Sequence, residues 1–152
     1  MVTPELGVIE GFFGRPYDWQ ERAEMVRSLA PAGYAFYLFA PKAAAKLRRR
    51  WREPFDEDEL AALAAFAETC RASDVRFGIG LSPYDLFRDF DAASRSDLAG
   101  KLNQLASLRP DDLGILFDDM PGGLPDLAAR QVEIVEWIAA RGPAPRLVVC
   151  PS

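Results

Sequence analysis

Histidine is absent from all 152 residues of the chain. Without an imidazole, the sequence excludes nucleophilic sites of the Ser-His-Asp and Cys-His types, and it excludes zinc sites that use histidine ligands. Any acid–base chemistry must therefore use aspartate, glutamate, lysine, tyrosine or cysteine.

Cysteine is scarce, and long apolar runs are missing. The two cysteines, Cys70 and Cys150, fall in a predicted helix and a predicted strand, and we interpret both as buried thiols in the reducing cytoplasm. No apolar run approaches the roughly 20 residues of a membrane-spanning helix, and the N-terminus lacks the pattern of a signal peptide. The net charge of −5 disfavours nucleic acid and anionic membranes as partners.

Five apolar segments lack the alternation of a half-exposed strand, which predicts the buried strands of a parallel sheet. They begin near Gly7, Ala35, Val75, Gly114 and Leu147. Four helices are predicted between them: two begin at capping boxes, Asp18 with Glu21 and Asp56 with Glu59, a third begins near Ser94, and a fourth covers Leu127 to Ile138.

The order βαβαβαβαβ in one domain, residues 1–152, fits two architectures. One is a doubly wound sheet, and the other is part of a (β/α)8 (TIM) barrel, with about four β/α units and a fifth strand. No Gly-x-Gly-x-x-Gly sequence follows the first strand, and no phosphate-loop signature occurs, which weakens a nucleotide-binding doubly wound fold.

Two adjacent carboxylates, Asp118 and Asp119, directly follow the apolar run Ile115–Phe117. Carboxylates at the end of a buried strand are costly unless they meet water or a ligand, and ligands bind at the carboxyl ends of parallel strands. An alternative that fits the segment equally well is that one of these aspartates simply caps the turn before Pro121. Adjacent strand residues point to opposite faces, so both carboxylates can share one pocket only if the strand ends or bulges there.

Three other segments also have two interpretations. Gly11 and Gly14 after the first strand either form a plain turn or let the backbone approach a ligand closely. Lys42 after the second strand is either solvated or part of the same edge as the aspartates. The basic run Lys46–Glu53, which contains Trp51, suggests nucleic-acid binding, although a solvated loop or helix face suits an acidic chain better.

Five motifs occur in order along the chain: Gly7–Pro16, Tyr37–Lys42, Trp51–Glu53, Leu81–Pro83 and Phe117–Asp119. Together they closely resemble the catalytic domain of glycoside hydrolase family 84, the β-N-acetylglucosaminidases of the O-GlcNAcase type. The resemblance implies a (β/α)8 barrel, of which this chain supplies about the N-terminal half.

The resemblance also implies a retaining hydrolysis of GlcNAc-bearing glycosides or glycoproteins, in which the substrate's acetamido group attacks C1 and forms an oxazoline. Position by position, it implies that Asp118 orients the acetamido group and that Asp119 is the general acid and base. Lys42 and the backbone of Gly11 would bind sugar hydroxyls, with no metal or other cofactor. Two carboxylates in one pocket split their pKa values, which suits these two roles.

Two further hypotheses follow from the residues. Open sheet edges would allow self-association, so the chain could be a truncated, weak or inactive half-barrel that binds sugar or pairs with another chain. Alternatively, Asp118, Asp119 and Glu10 could ligate a metal ion, a weaker hypothesis because few other ligands cluster in the sequence.

Overall fold

A computed structural model describes residues 4–152 as a five-stranded parallel sheet flanked by four α-helices. The strands are β1 Leu6–Glu10, β2 Tyr34–Phe39, β3 Arg76–Leu81, β4 Asp112–Leu116 and β5 Arg146–Cys150. The helices are α1 Trp19–Leu29, α2 Glu57–Ala72, α3 Ala92–Ser107 and α4 Leu127–Ala139, with short 3-10 turns at Ala30–Ala32 and Ala45–Leu47.

Neighbouring strands in the sheet are also consecutive in the chain, in the order β1-β2-β3-β4-β5. A doubly wound sheet reverses its strand order at a switch point, whereas a barrel adds each strand beside the last. The sheet curls into half a barrel, which confirms the predicted partial (β/α)8 architecture and excludes the doubly wound alternative.

Hydrogen-bonded caps fix the helix starts. Asp18 accepts a bond of 2.8 Å from the Glu21 amide, and the Glu21 side chain accepts one of 2.7 Å from the Asp18 amide, so this predicted capping box is present, as is the second one before α2. Helix α3 begins at Ala92, slightly before the predicted start, because Asp91 is its cap and accepts from the Ser94 amide.

The hydrophobic core lies between the sheet and the helices. Each fully buried Leu, Ile or Phe side chain in it contributes about 1.5–3 kcal/mol. Core residues from the strands include Tyr37, Phe39, Phe77, Ile79, Leu113 and Ile115, and those from the helices include Leu63, Phe66, Leu98, Leu105 and Ile134. Among residues 4–152, none of the helices combines the length and apolarity needed to traverse a bilayer.

The other face of the sheet is concave and carries glycines where strands meet most closely. Gly80 pairs with Gly114, and a Cβ on Gly80 would lie 2.6 Å from the Cβ of Ala40 and 2.9 Å from Leu116 Cδ1. Real Cβ atoms do not approach so closely, so this position requires glycine and allows the sheet to curl tightly.

The edge strands are less buried than the sequence predicted. Ile9 in β1 is 55% exposed and Val149 in β5 is 43% exposed, because no strand pairs with their outer edges among the described residues. The prediction for Cys150 is therefore wrong in this respect: it lies on the edge strand and is only partly buried. Cys70 in α2 is buried as predicted, and burial raises the pKa of its thiol to about 12.

Candidate active site

Three charged side chains meet at the carboxyl edge of the sheet. Lys42 follows β2, and Asp118 and Asp119 follow β4. The Lys42 ammonium donates a hydrogen bond to Asp118 Oδ2 and lies 2.9 Å from Asp119 Oδ2. The structure therefore brings together three of the four site residues that the resemblance implied.

The backbone around Asp119 explains how adjacent carboxylates reach one partner. Strand β4 ends at Leu116, and Asp119 has a φ of +62°, in the left-handed region. This conformation removes the alternation that would send the two side chains to opposite faces of the sheet. Asp and Asn tolerate it better than most other residues with a Cβ.

The pKa values of Lys42 and Asp119 depend on their neighbours in this cluster. The hydrogen bond from Lys42 holds the pKa of Asp119 below its ordinary value, with a further contribution from the positive charge of Arg48. Burial by itself lowers the pKa of Lys42, but its hydrogen bonds to Asp118 and Asp119 outweigh burial and raise that pKa overall. The Lys42 side chain is only 4% exposed, so the cluster contains a buried, fully protonated ammonium.

One oxygen of Asp118 has no hydrogen-bond partner. Its Oδ2 accepts from Lys42, whereas its Oδ1 is buried and receives no donor from any described residue. An unsatisfied buried acceptor costs about 1–3 kcal/mol. The Asp118 side chain as a whole is 35% exposed, so a rotation of the carboxylate that brings Oδ1 to the surface would let a ligand N–H or O–H remove this cost.

Gly11 lies directly after β1, and its amide donates to the carbonyl of Ile9 at 2.9 Å. A Cβ on Gly11 would contact only Ile9 Cγ2, at an ordinary 3.5 Å. Packing within the described residues therefore does not require glycine here, and no hydrogen bond among them joins Gly11 to Lys42 or the aspartates. Its carbonyl oxygen accepts no hydrogen bond from the described residues and is the backbone group left for a ligand.

The sequence suggested that the basic run Lys46–Glu53 is a solvated loop or helix face, but part of this run is buried. Leu47 and Arg48 are buried, and Trp51 is fully buried and donates its Nε1–H to the Tyr84 carbonyl at 3.1 Å. The spacing of Leu47 and Trp51, four residues apart, is the signal in the sequence that could have shown an inward-facing side.

Aromatic rings lie near two cations of the site, Lys42 and Arg48. The Phe13 ring is 65% exposed, and its centroid lies 5.9 Å from the Lys42 ammonium and 5.6 Å from the Arg48 guanidinium. Tyr84 contacts Arg48 from a second side, also at 5.6 Å. Sequence reasoning missed Arg48 as a site residue because only the folded loop brings it to the ring that Lys42 also contacts.

Glu10, the third possible metal ligand, faces the helices and does not lie with Asp118 and Asp119. Its carboxylate accepts two bonds of 2.8 Å from Arg22 and one of 2.7 Å from the Tyr37 hydroxyl, all within the helix-facing layer. The set of Asp118, Asp119 and Glu10 is thus not assembled, and no group of three potential ligands occurs among residues 4–152.

The fold and this site define the class of the protein: half of a (β/α)8 barrel, with paired carboxylates at the ligand-binding ends of its strands. A family model described as beta-N-acetylglucosaminidase matches residues 6–151. The chain belongs to this β-N-acetylglucosaminidase family, as the sequence motifs predicted.

Known proteins resemble the chain in sequence and in structure. Protein O-GlcNAcase from Rattus norvegicus and that from Mus musculus are each 32% identical over 114 residues, which is 75% of this chain and 12% of either relative. The chain thus spans about an eighth of the length of these curated relatives.

Two solved structures share the fold. A mutant O-GlcNAc hydrolase of Thermobaculum terrenum superposes with a TM-score of 0.86 at 24% identity, over 97% of this chain and 35% of that one. The structure of CpGH84B gives 0.84 at 23% identity, over 95% and 26%. At these identities the two structures establish the fold alone.

Proposed function

We propose that residues 1–152 form the N-terminal half of the catalytic barrel of a retaining β-N-acetylglucosaminidase that acts on GlcNAc-bearing glycosides or glycoproteins. The observation that carries the proposal is the Lys42–Asp118–Asp119 cluster at the carboxyl edge of the sheet, in a chain of this family. The similarity to two O-GlcNAcases supports the choice of a GlcNAc substrate.

In the first step, ionised Asp118 accepts a hydrogen bond from the N–H of the 2-acetamido group. The acetamido oxygen then attacks C1, the bond from C1 to the aglycone oxygen breaks, and Asp119 gives its proton to that oxygen. The products are a free alcohol and a protonated oxazoline, whose N–H stays hydrogen-bonded to the Asp118 carboxylate. The unsatisfied Oδ1 of Asp118 supports this role, because an amide N–H is the donor that it lacks.

In the second step, the Asp119 carboxylate takes a proton from water, whose oxygen attacks C1. The oxazoline ring opens, the amide is restored, and two inversions leave the β configuration unchanged. Gly11 and Lys42 bind sugar hydroxyls throughout. When a sugar binds, Lys42 donates to a sugar hydroxyl and no longer to Asp119, so the pKa of Asp119 rises. This rise reconciles the lowered pKa of Asp119 in the free protein with its role as an acid.

Release of 4-nitrophenol from its β-GlcNAc glycoside tests this proposal, with the product of the complete coding sequence as enzyme. Asp119→Asn should lower kcat by about 10²–10⁴-fold, the range that general acid–base groups supply. Asp118→Asn should also lower kcat, because the acetamido group loses the carboxylate that orients it. Asp126→Asn is the matched control, because Asp126 is also an exposed aspartate with a left-handed backbone. Undiminished release by both site variants would exclude the roles given to Asp118 and Asp119.

The concave face supports a second candidate, a half-barrel that binds sugar or pairs with another chain without turnover. That face ends in two exposed strand edges, and it contains a cavity of about 440 Å³ toward the amino ends of the strands, lined by Ile9, Leu38 and Val148 among other residues but not by Lys42 or the two site aspartates. Sedimentation velocity separates the two candidates, since a stable dimer without hydrolase activity supports pairing and an active monomer excludes it.

A further inference from the structure

Arg48 is a buried arginine without a polar partner. Two arginines are buried among residues 4–152, Arg22 at 5% and Arg48 at 8% exposure. The guanidinium of Arg22 makes two bonds of 2.8 Å to Glu10, whereas that of Arg48 makes no hydrogen bond and no ion pair within the described chain. Burial of a charged group without a hydrogen-bond partner is costly, and a bound ligand is one means by which such a group gains its partner.

The ring contacts of Arg48 do not compensate for this burial. Its guanidinium lies 5.6 Å from each of the Phe13 and Tyr84 centroids, near the outer limit of a cation–π contact. For comparison, Arg22 lies 4.5 Å from Trp19 and also has its carboxylate. The nitrogens of Arg48 are not among the fully enclosed atoms that lack partners, so they remain within reach of a ligand.

One aromatic ring separates Arg48 from the cluster that contains the acid of the proposed reaction. Arg48 and Lys42 contact the same Phe13 ring, and the Lys42 ammonium lies 2.9 Å from Asp119. The positive charge of Arg48 also lowers the pKa of Asp119. Because Asp119 protonates the leaving oxygen, the space beside it belongs to the aglycone.

The adjacent residue strengthens the positive field at this rim. The Arg49 guanidinium lies 4.6 Å from the Tyr84 centroid, is exposed, and has no carboxylate partner among the described residues. The chain as a whole carries a net charge of −5, so two adjacent uncompensated arginines are a local exception. Such a field attracts anions toward this side of the site.

We propose that Arg48 binds an anionic oxygen, from a carboxylate or a phosphate, on the group that is attached to GlcNAc. The guanidinium fork matches both anions in geometry, and one such charged hydrogen-bonded contact accounts for about a tenfold to hundredfold preference. The proposal rests on the proposed function, since Asp119 as the acid defines where the aglycone lies.

Three β-GlcNAc glycosides of matched shape test this proposal: those of meta-hydroxybenzoate, meta-hydroxybenzamide and meta-hydroxyphenylphosphonate. The wild-type protein should show a kcat/KM about 10- to 100-fold higher for an anionic glycoside than for the amide, and the relative rates of the two anions identify which source is preferred. In Arg48→Met the ratio should fall to about one. Arg48→Lys should retain part of it, because lysine keeps the charge but lacks the fork.

Arg27→Met is the matched control. Arg27 is an exposed arginine in the last turn of α1, and no carboxylate pairs with it among residues 4–152. This variant also loses one positive charge, so it should keep the full preference for anionic glycosides. An equal loss of preference in Arg27→Met would overturn the assignment to Arg48.

The remaining outcomes separate this inference from the proposed function. Equal hydrolysis of all three glycosides by the wild-type protein overturns the role of Arg48 and leaves the hydrolase proposal intact. Hydrolysis of none of them counts against the hydrolase proposal, and calorimetric binding of the same glycosides then decides. Tighter binding of the anions that disappears in Arg48→Met supports the anion site, and equal or absent binding overturns it.

Discussion

Replacement of Glu10 by leucine should destabilise the protein by about 3–5 kcal/mol, because it leaves the Arg22 guanidinium buried without its counter-ion. Glu10 is fully buried and Arg22 is 5% exposed, and two bonds of 2.8 Å join them. The hydroxyl of Tyr37 completes the network by donating to Glu10 at 2.7 Å. Burial, together with this hydrogen bond, raises the pKa of Tyr37 and keeps it a donor.

This loss of unfolding free energy is large in relation to the total stability of a domain. A domain is typically stable by about 5–15 kcal/mol, so the change would remove a substantial share. For a chain of this length it corresponds to a fall in Tm of roughly 6–20 °C. Arg22→Met should have a similar effect, since it leaves the carboxylate of Glu10 buried with only the Tyr37 hydroxyl as partner.

The double variant Glu10→Leu/Arg22→Met provides the decisive comparison. Removal of both charges abolishes the desolvation cost as well as the attraction, so the double variant should be more stable than either single one. Urea unfolding followed by circular dichroism measures all three free energies. Single variants that each cost less than about 1 kcal/mol, or costs that simply add in the double variant, would refute this reasoning.

Three other predictions concern charge and backbone near the site and in the core. Lys42→Met should raise the pKa of Asp119, because the Lys42 hydrogen bond holds it low; carbon-13 NMR titration of the carboxyl group measures the shift. Gly11→Ala should change the unfolding free energy by less than about 1 kcal/mol, since its Cβ would meet only Ile9, yet it should reduce turnover where the sugar approaches Gly11. Burial, followed by the charge of Lys46, lowers the pKa of Lys101 from 10.5 to about 8. The unfolded chain therefore holds more protons than the native one between these values, and stability should rise with pH across that interval in the wild type but not in Lys101→Met.

Each of these predictions has an outcome that would contradict it. An unchanged midpoint for Asp119 in Lys42→Met would mean that the ion pair does not control its charge. A loss of stability in Gly11→Ala would show that the glycine serves the fold instead of a ligand. If the urea midpoints of the wild type and Lys101→Met have the same pH dependence, the pKa of Lys101 is not lowered in the folded protein.

Local signals in the sequence were sufficient for the strands and helices, whereas the preference for a barrel over a doubly wound sheet came from the family resemblance. The capping boxes at Asp18 and Asp56 depend on residues three apart, and uninterrupted apolar runs mark strands that need no distant information. The meeting of Lys42 with Asp118 follows from the same logic, because parallel strands end at one edge. The family assignment was confirmed as well, while the chemical roles of these residues stay predictions.

Features that depend on distant partners could not be predicted in this way. Glu10 and Arg22 are 12 residues apart and meet only when α1 packs on the sheet. Arg48 lies in a run of positive charges that suggests solvent, and only the folded loop shows that its side chain is enclosed by rings. The exposure of Cys150 likewise depends on its place in the strand order, which a single strand does not reveal.

The left-handed backbone at Asp119 restricts how this position can change by mutation. Most side chains with a Cβ lose about 1–2 kcal/mol at such a φ, whereas asparagine tolerates it nearly as well as aspartate. Alanine would therefore combine loss of the acid with local strain, and asparagine would remove the acid alone. Relatives that keep the fold and lose the chemistry should therefore arise most easily through a single Asp-to-Asn change at this position.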